Sequence, residues 1–224
     1  MSPDLELVRS ERHVRSADAG RCVEIDGCAL RVPCLFMAIG PVASGKSTLC
    51  RRVVAALRAA GAEAVVVSRD LVRAEVMGAV NDLSTEEAVS TVQYAHASAH
   101  LDAGRTVLVD DTNLVAAHRH RLYDALGLRA RGVPVVVALR AKDLTAADLA
   151  AREAARRRAT GRPRVPDDVI ARMHARWLAR GAGALMALDA PEALYLFSDR
   201  GLYDATSQRA TSQGGGAIVT FAER

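Results

Sequence analysis

Lysine is almost missing from this chain: of the 30 lysines and arginines among its 224 residues, only Lys46 and Lys142 are lysines. Where arginine is the default cation, a lysine marks a place that needs a compact, flexible ammonium rather than a planar fork. Long apolar runs are missing too. No stretch approaches the roughly 20 apolar residues that a membrane span requires, and the first twenty residues lack the apolar core of a signal peptide. The expected location is therefore cytoplasmic, or the host cytoplasm if the chain is phage-encoded, with no membrane partner. The four cysteines, Cys22, Cys28, Cys34 and Cys50, show no paired C-x-x-C spacing, which argues against a zinc site and for free thiols.

What is present suits one well-buried globular domain with appendages. Half the residues are apolar and a quarter are charged, an ordinary soluble composition, and the length is short for two independent cores. The formal charge of +4 and pI near 9.1 suit a polyanionic partner without requiring one. A homo-oligomer is left open.

Along the chain, residues 1–33 read as an N-terminal extension, with a hairpin signal at Asp26-Gly27 between alternating segments at 21–32. An unbroken apolar run over 34–39 reads as a buried parallel strand. It is followed by a helix with Leu49, Val53 and Leu57 one turn apart, stopped near Gly61. Further strands are expected at 64–67, 106–109 and 135–139, and helices at 71–77, 85–103, 118–126, 144–158 and 167–188. In the last of these, Ile170, Met173 and Trp177 form a core stripe. This βαβα alternation predicts an α/β domain over 34–190, a parallel sheet with helices on both faces. Residues 191–224 read as a C-terminal β extension, a strand pair made from 193–197 and 217–221.

The first strand runs directly into Gly40-Pro41-Val42-Ala43-Ser44-Gly45-Lys46-Ser47-Thr48, which satisfies G-x-x-x-x-G-K-[ST]. In that pattern backbone N–H groups wrap a phosphate at a helix N-terminus, and the lysine reaches the β- and γ-phosphates. Gly40, Ser44, Gly45, Lys46, Ser47 and Thr48 are the expected ATP site, and Ser47, with Asp110 as a second candidate, would hold Mg²⁺. The GTPase N-K-x-D and transporter L-S-G-G-Q signatures are both absent, which counts against a switch or a motor.

Ligands of such sheets gather at the carboxyl ends of the strands. Just past the second strand, Asp70 is placed either to take a hydroxyl proton as general base or to cap the next helix. Arg73, one turn on, could bind an acceptor phosphate or be a solvated helix residue. The third strand ends at Asp110-Asp111-Thr112-Asn113, where Asp111 and Asn113 are candidates for the acceptor site, or turn residues. Six arginines, at 152, 156, 157, 158, 162 and 164, surround a Gly-Pro helix break. Such a run is either a solvated face or a lid near 152–166 that neutralises phosphoryl charge and excludes water. Arg152 and Arg156, on one helix face, are the best placed for the latter.

Taken together, G-P-V-A-S-G-K-S-T, S-R-D-L-V-R at 68–73, V-D-D-T-N-L at 109–114 and the arginine helix followed by R-V-P-D-D-V-I-A-R-M at 164–173 resemble the kinase domain of the phage-type polynucleotide 5′-hydroxyl kinases, over residues 34 to about 178. The resemblance implies a P-loop kinase fold and transfer of the ATP γ-phosphate to the 5′-hydroxyl end of DNA or RNA. It implies Asp70 as general base, Arg73 on the acceptor's 3′-side phosphate, Asp111 in the active site, and Arg152 and Arg156 in the lid, with Arg156 catalytic and Arg158 an alternative. The segment 157–164 is longer than the family pattern. No D-x-D-x-T phosphatase loop follows residue 178, so no phosphatase activity is expected. The competing expectation is a kinase of the same fold acting on a small hydroxyl compound, such as a nucleoside, sugar or antibiotic, or on a modified base in DNA.

Overall fold

The computed structural model describes residues 20–77, 86–161, 164–179 and 182–205. It opens with the expected hairpin, β1 (Arg21–Ile25) and β2 (Cys28–Val32), paired antiparallel across Asp26-Gly27. Both turn residues take positive φ, 52° and 78°, as a two-residue hairpin turn requires.

The central sheet has six strands. β3 (Leu35–Ile39) lies at its middle, between β5 (Thr106–Val109) and β6 (Val135–Arg140); β4 (Ala64–Val67) flanks β5, and β7 (Ala193–Ser198) flanks β6. These five are parallel, and β8 (Gly201–Asp204) closes the β7 edge antiparallel. All five side chains of β3 are buried, as they must be in a parallel strand covered on both faces.

Alternation along β3 serves two cores. Leu35, Met37 and Ile39 face one cluster with Leu149, Ile170 and Trp177. Phe36 and Ala38 face the other, where Leu49, Val53 and Leu57 of α1 (Lys46–Ala59) meet Val23, Leu30 and Val32 of the hairpin. The hairpin is thus packed on the sheet's α1 face. The stripe read from the sequence as core is core: Trp177 is fully buried, and its indole N–H donates to the Arg140 carbonyl at 3.0 Å.

The remaining helices are α2 (Arg69–Met77), α3 (Glu86–Asp102), α4 (Ala116–Ala125), α5 (Leu128–Arg131), α6 (Ala146–Thr160), α7 (Asp167–Leu178) and α8 (Ala182–Asp189). A Thr145/Asp148 capping box starts α6, and Gly161 in the left-handed region ends it, where the sequence places a helix break.

Two expectations need correction. The single helix over 167–188 is two helices, α7 and α8: the sequence carries glycines at 181 and 183, and each costs a helix interior about 1 kcal/mol relative to alanine. The expected strand at 193–197 is not part of a separate appendage, because β7 joins the central sheet beside β6 and takes β8 as its partner. Two turn residues suffice to reverse the chain there, a shorter closure than any distant segment offers. Residues 217–221, like the polar lead-in and Arg162, lie outside the described residues. Among those described, no helix is long and apolar enough to cross a membrane.

Candidate active site at the carboxyl edge of the sheet

The glycine loop leaves β3 at its carboxyl end and delivers the chain into α1. A Cβ at Gly40 would stand 2.7 Å from Ser44 Oγ and 3.0 Å from the Arg140 Cβ, so only glycine lets the loop fold back this tightly. Ala43 and Gly45 have φ of 57° and 93°, which turns successive backbone N–H groups toward one concavity. No side chain caps α1, and no acidic residue lies in its first turn. Its N-terminal amides and dipole are therefore available to an anion. The Ser44 hydroxyl, fully buried, has no hydrogen-bond partner among the described residues, an arrangement that a bound phosphate oxygen would satisfy. Ser47 and Thr48 are exposed on the first turn.

Lys46 is buried, 7% exposed, with Nζ donating to the Pro41 carbonyl at 2.7 Å. Burial pushes its ammonium down to about 8, partly offset by the carboxylates of Asp110 and Asp111 and assisted by the positive charge of Arg156. The lysine singled out by its rarity is thus a buried cation that feels the charges of both α6 and the end of β5.

The residues after β5 stitch the site together. Gly40 N–H donates to the Thr112 carbonyl at 3.1 Å. Asn113, at φ 51°, spends its amide nitrogen on the carbonyls of Ala38 (2.9 Å), Asp111 (3.3 Å) and Val109 (3.4 Å). Asp111 accepts the Arg69 N–H at 3.1 Å and the Gln93 amide at 2.6 Å. It is therefore Asp111, from beyond the end of β5, that caps α2, a role the sequence left open for Asp70. Burial raises the Asp111 carboxyl to about 6 against the pull of those two hydrogen bonds. Asp110 stands beside it, half-buried at the strand end.

Asp70, in the first turn of α2, accepts from Arg73 Nη1 at 3.1 Å. Arg73 is only 14% exposed and binds Glu86 through Nη2 at 2.6 Å and Nε at 2.9 Å. Glu86 also pairs with Arg69. Although burial works to raise it, the hydrogen bonds from Arg73 and Arg69 hold the Glu86 carboxyl below its ordinary value. Glu86 escaped the sequence reading because it opens α3, thirteen positions from Arg73, and only its place beside an expected helix start could have hinted at it.

A second missed pair lies behind the turn. Arg119 of α4 and Asp189 of α8 form a fully buried ion pair, and Arg119 Nη1 donates to the Asn113 carbonyl at 2.8 Å. Breaking one side of such a pair would leave a buried charge unmatched. It braces the turn that carries Asp110 to Asn113.

The arginine segment divides. Arg152 and Arg156 of α6 are half-buried, whereas Arg157 and Arg158 are exposed on the side facing α7, where they border a cavity of about 630 Å³ with Glu153, Arg164 and Asp167. Arg156 pairs with the buried Glu153 at 3.1 Å.

A mostly parallel sheet with this glycine loop at its central strand, a buried loop lysine and an arginine helix nearby define a kinase-type P-loop domain. More particularly, the chain belongs to the family described as AAA domain, whose model matches residues 35–179. No curated protein matches it at a significant level. Among solved structures it is similar to a chain of the Pnkp1/Rnl/Hen1 RNA repair complex, with 21% identity and a TM-score of 0.54 over 66% of this chain and 44% of that one. It is also similar to a chain of the PezAT chromosomal toxin–antitoxin system of Streptococcus pneumoniae, with 14% identity and a TM-score of 0.55 over 82% and 76% of the two chains. Kti12 of Chaetomium thermophilum, solved with ADP-AlF3, matches at 20% identity and a TM-score of 0.49 over 73% of this chain and 88% of that one. At these identities the first two likenesses are ones of fold. The chain spans less than half the length of the RNA-repair chain.

Proposed function

We propose that this protein is a polynucleotide 5′-hydroxyl kinase, transferring the γ-phosphate of ATP to the 5′-hydroxyl end of DNA or RNA. The observation that carries the reading is the pairing of Asp70 with Arg73 one turn on, at the carboxyl edge of the sheet that holds the glycine loop. A carboxylate there can accept the hydroxyl proton while a fixed guanidinium binds the neighbouring phosphate of the same acceptor. Those are the two needs of a nucleic-acid end.

In this reading the N–H groups of the loop, the Ser44 hydroxyl and Lys46 hold the triphosphate. Ser47 and Asp110 would hold Mg²⁺, which when bound neutralises phosphate charge. The acceptor oxygen bonds to the γ-phosphorus as its proton passes to Asp70, the bond from that phosphorus to the β,γ-bridging oxygen breaks, and ADP leaves. Arg156 balances the charge on the phosphoryl group. Asp111 and Asn113 shape the acceptor side by fixing α2 and the turn after β5, and Arg73 contacts the acceptor.

One observation favours a second reading, a kinase of the same mechanism acting on an uncharged small hydroxyl compound. Arg69 and Arg73 are matched by Asp70 and Glu86, so the acceptor side has no net positive charge of its own. Transfer of labelled phosphate from ATP to 5′-hydroxyl oligonucleotides, compared with free nucleosides and sugars, decides between them. Oligonucleotides are expected to be labelled, and labelling of the small compounds alone would overturn the first reading.

A further inference from the structure

The two lid arginines, one turn apart, are bound differently. Arg152 is held bidentately by Asp199, on the turn between β7 and β8, with Nη2 to Oδ2 at 2.6 Å and Nη1 to Oδ1 at 3.1 Å. The same carboxylate accepts from Arg140 Nη1 at 2.9 Å. Arg140 ends β6 with its side chain fully buried and is bound on its other side by Asp143, at 3.1 and 3.0 Å. Arg152, with Arg140, holds the Asp199 carboxyl well below the usual range. A Cβ at Gly45 would lie 3.6 Å from Arg140 Nη1 and 3.7 Å from Asp199 Oδ1. The cluster therefore borders the phosphate loop.

Arg156 is outside this cluster. It pairs within its own helix with Glu153, and its charge reaches Lys46. The turn that carries Asp199 is fixed from the other side by the hairpin. Asp26 accepts the Leu202 N–H at 3.0 Å and Arg52 Nη2 at 3.0 Å, and a Cβ at Gly201 would stand 2.8 Å from Asp26 Oδ2. The Tyr195 hydroxyl of β7 adds a bond to the Ala29 carbonyl of β2.

We propose that Asp199 is a positioning residue of the donor site: it ties the lid helix α6, through Arg152, to the immobile Arg140 beside the phosphate loop, leaving Arg156 as the lid arginine that meets the phosphates. The β1–β2 hairpin and β8 are the brace that holds Asp199 in place. An ion pair this exposed is usually weak. Sharing the carboxylate with a buried arginine that Asp143 grips at two points removes the freedom that makes such pairs weak. The kinetic consequence rests on the phosphoryl-transfer reading; the anchoring does not.

Two measurements on the full chain test it. In amide hydrogen exchange, D199N and, from the lid side, R152Q are each expected to speed exchange over 146–160 about fivefold or more, the signature of a locally loosened helix. Amides of β3, β5 and β6 should not change, and D102N, which removes a surface partner of Arg131, should match the parent throughout. In steady-state transfer, D199N and R152Q are each expected to lower kcat about tenfold, as slight misplacement of a catalytic group does, with a smaller change in KM for ATP. The double variant should be no slower than either single one, and D199E should recover some of the loss. Unchanged exchange of α6 in a folded D199N, or kinetic losses that multiply in the double variant, would overturn the proposal. Should the parent label no oligonucleotide, the acceptor reading falls, and the exchange of α6 still decides the role of Asp199.

Discussion

The two halves of the candidate site are built on opposite principles. On the side proposed for the donor a single contiguous stretch, Gly40 to Thr48, supplies uncapped amides, a buried hydroxyl without a partner among the described residues and one buried lysine. On the side proposed for the acceptor, Asp70, Arg73, Glu86, Arg69 and Asp111 come from α2, α3 and the turn after β5 and bind one another. The donor half presents unmet hydrogen-bonding capacity and positive potential, which any nucleoside triphosphate can satisfy. The α2 cluster is pre-assembled and internally neutralised, so in the proposed reading its specificity for an acceptor would lie in fixed geometry rather than in spare charge. That difference explains why the donor is the easier ligand to name.

Four experiments would break or sharpen the contrast. Lys46→Met should cost the most, about 10³-fold in phosphate transfer, the upper range for removing one charge-stabilising donor; a labelled-ATP assay checks it, and a loss under tenfold would detach Lys46 from the chemistry. Asp70→Asn should lower kcat about 10²-fold, the lower range for general-base catalysis, with KM for ATP nearly unmoved. Equal losses in ATP binding, read by calorimetry, would place Asp70 on the donor side.

Glu86→Gln should act more gently. Arg73 would lose its firmest partner, and KM for an oligonucleotide is expected to rise about tenfold, the cost of one charge-assisted hydrogen bond, while KM for ATP holds. A matched rise for an uncharged nucleoside acceptor would show that Arg73 does not read a phosphate.

The smallest effect is one of pH. Because Lys46 titrates near 8 in the free protein, it loses its charge as pH rises through that value, and a bound triphosphate would draw the proton back. Nucleotide affinity should fall severalfold between about pH 7.5 and 9, in line with a single-group linkage, with proton uptake on binding near pH 8.5 and none from this group near pH 6.5. Calorimetry in buffers of different ionisation enthalpy measures it, and pH-independent uptake would sink it.

Much of the architecture is legible in the order of residues alone. The hairpin at Asp26-Gly27, the strands at 64–67 and 106–109 and the end of α6 at Gly161 are local matters, set by turn chemistry, β-branched runs and glycine's access to positive φ. The break between α7 and α8 is hidden because an apolar pattern continues across 181–183, and the pattern outweighs the glycines. The place of β7 is hidden because pairing is a contest between distant partners, and a polar stretch with three glycines looks like a loop between strands.

The sequence by itself determined where the phosphate loop and its lysine lie, since the pattern of glycines and charge is carried by nine consecutive residues. Only the tertiary structure decided that Asp111 caps α2, that Glu86 clamps Arg73, and that Asp199, which lies beside Gly45, holds Arg152. Each of those contacts joins residues from 13 to 47 positions apart. Hydrogen bonds of that span leave no periodicity in the chain and exist only once the sheet has brought its carboxyl ends together.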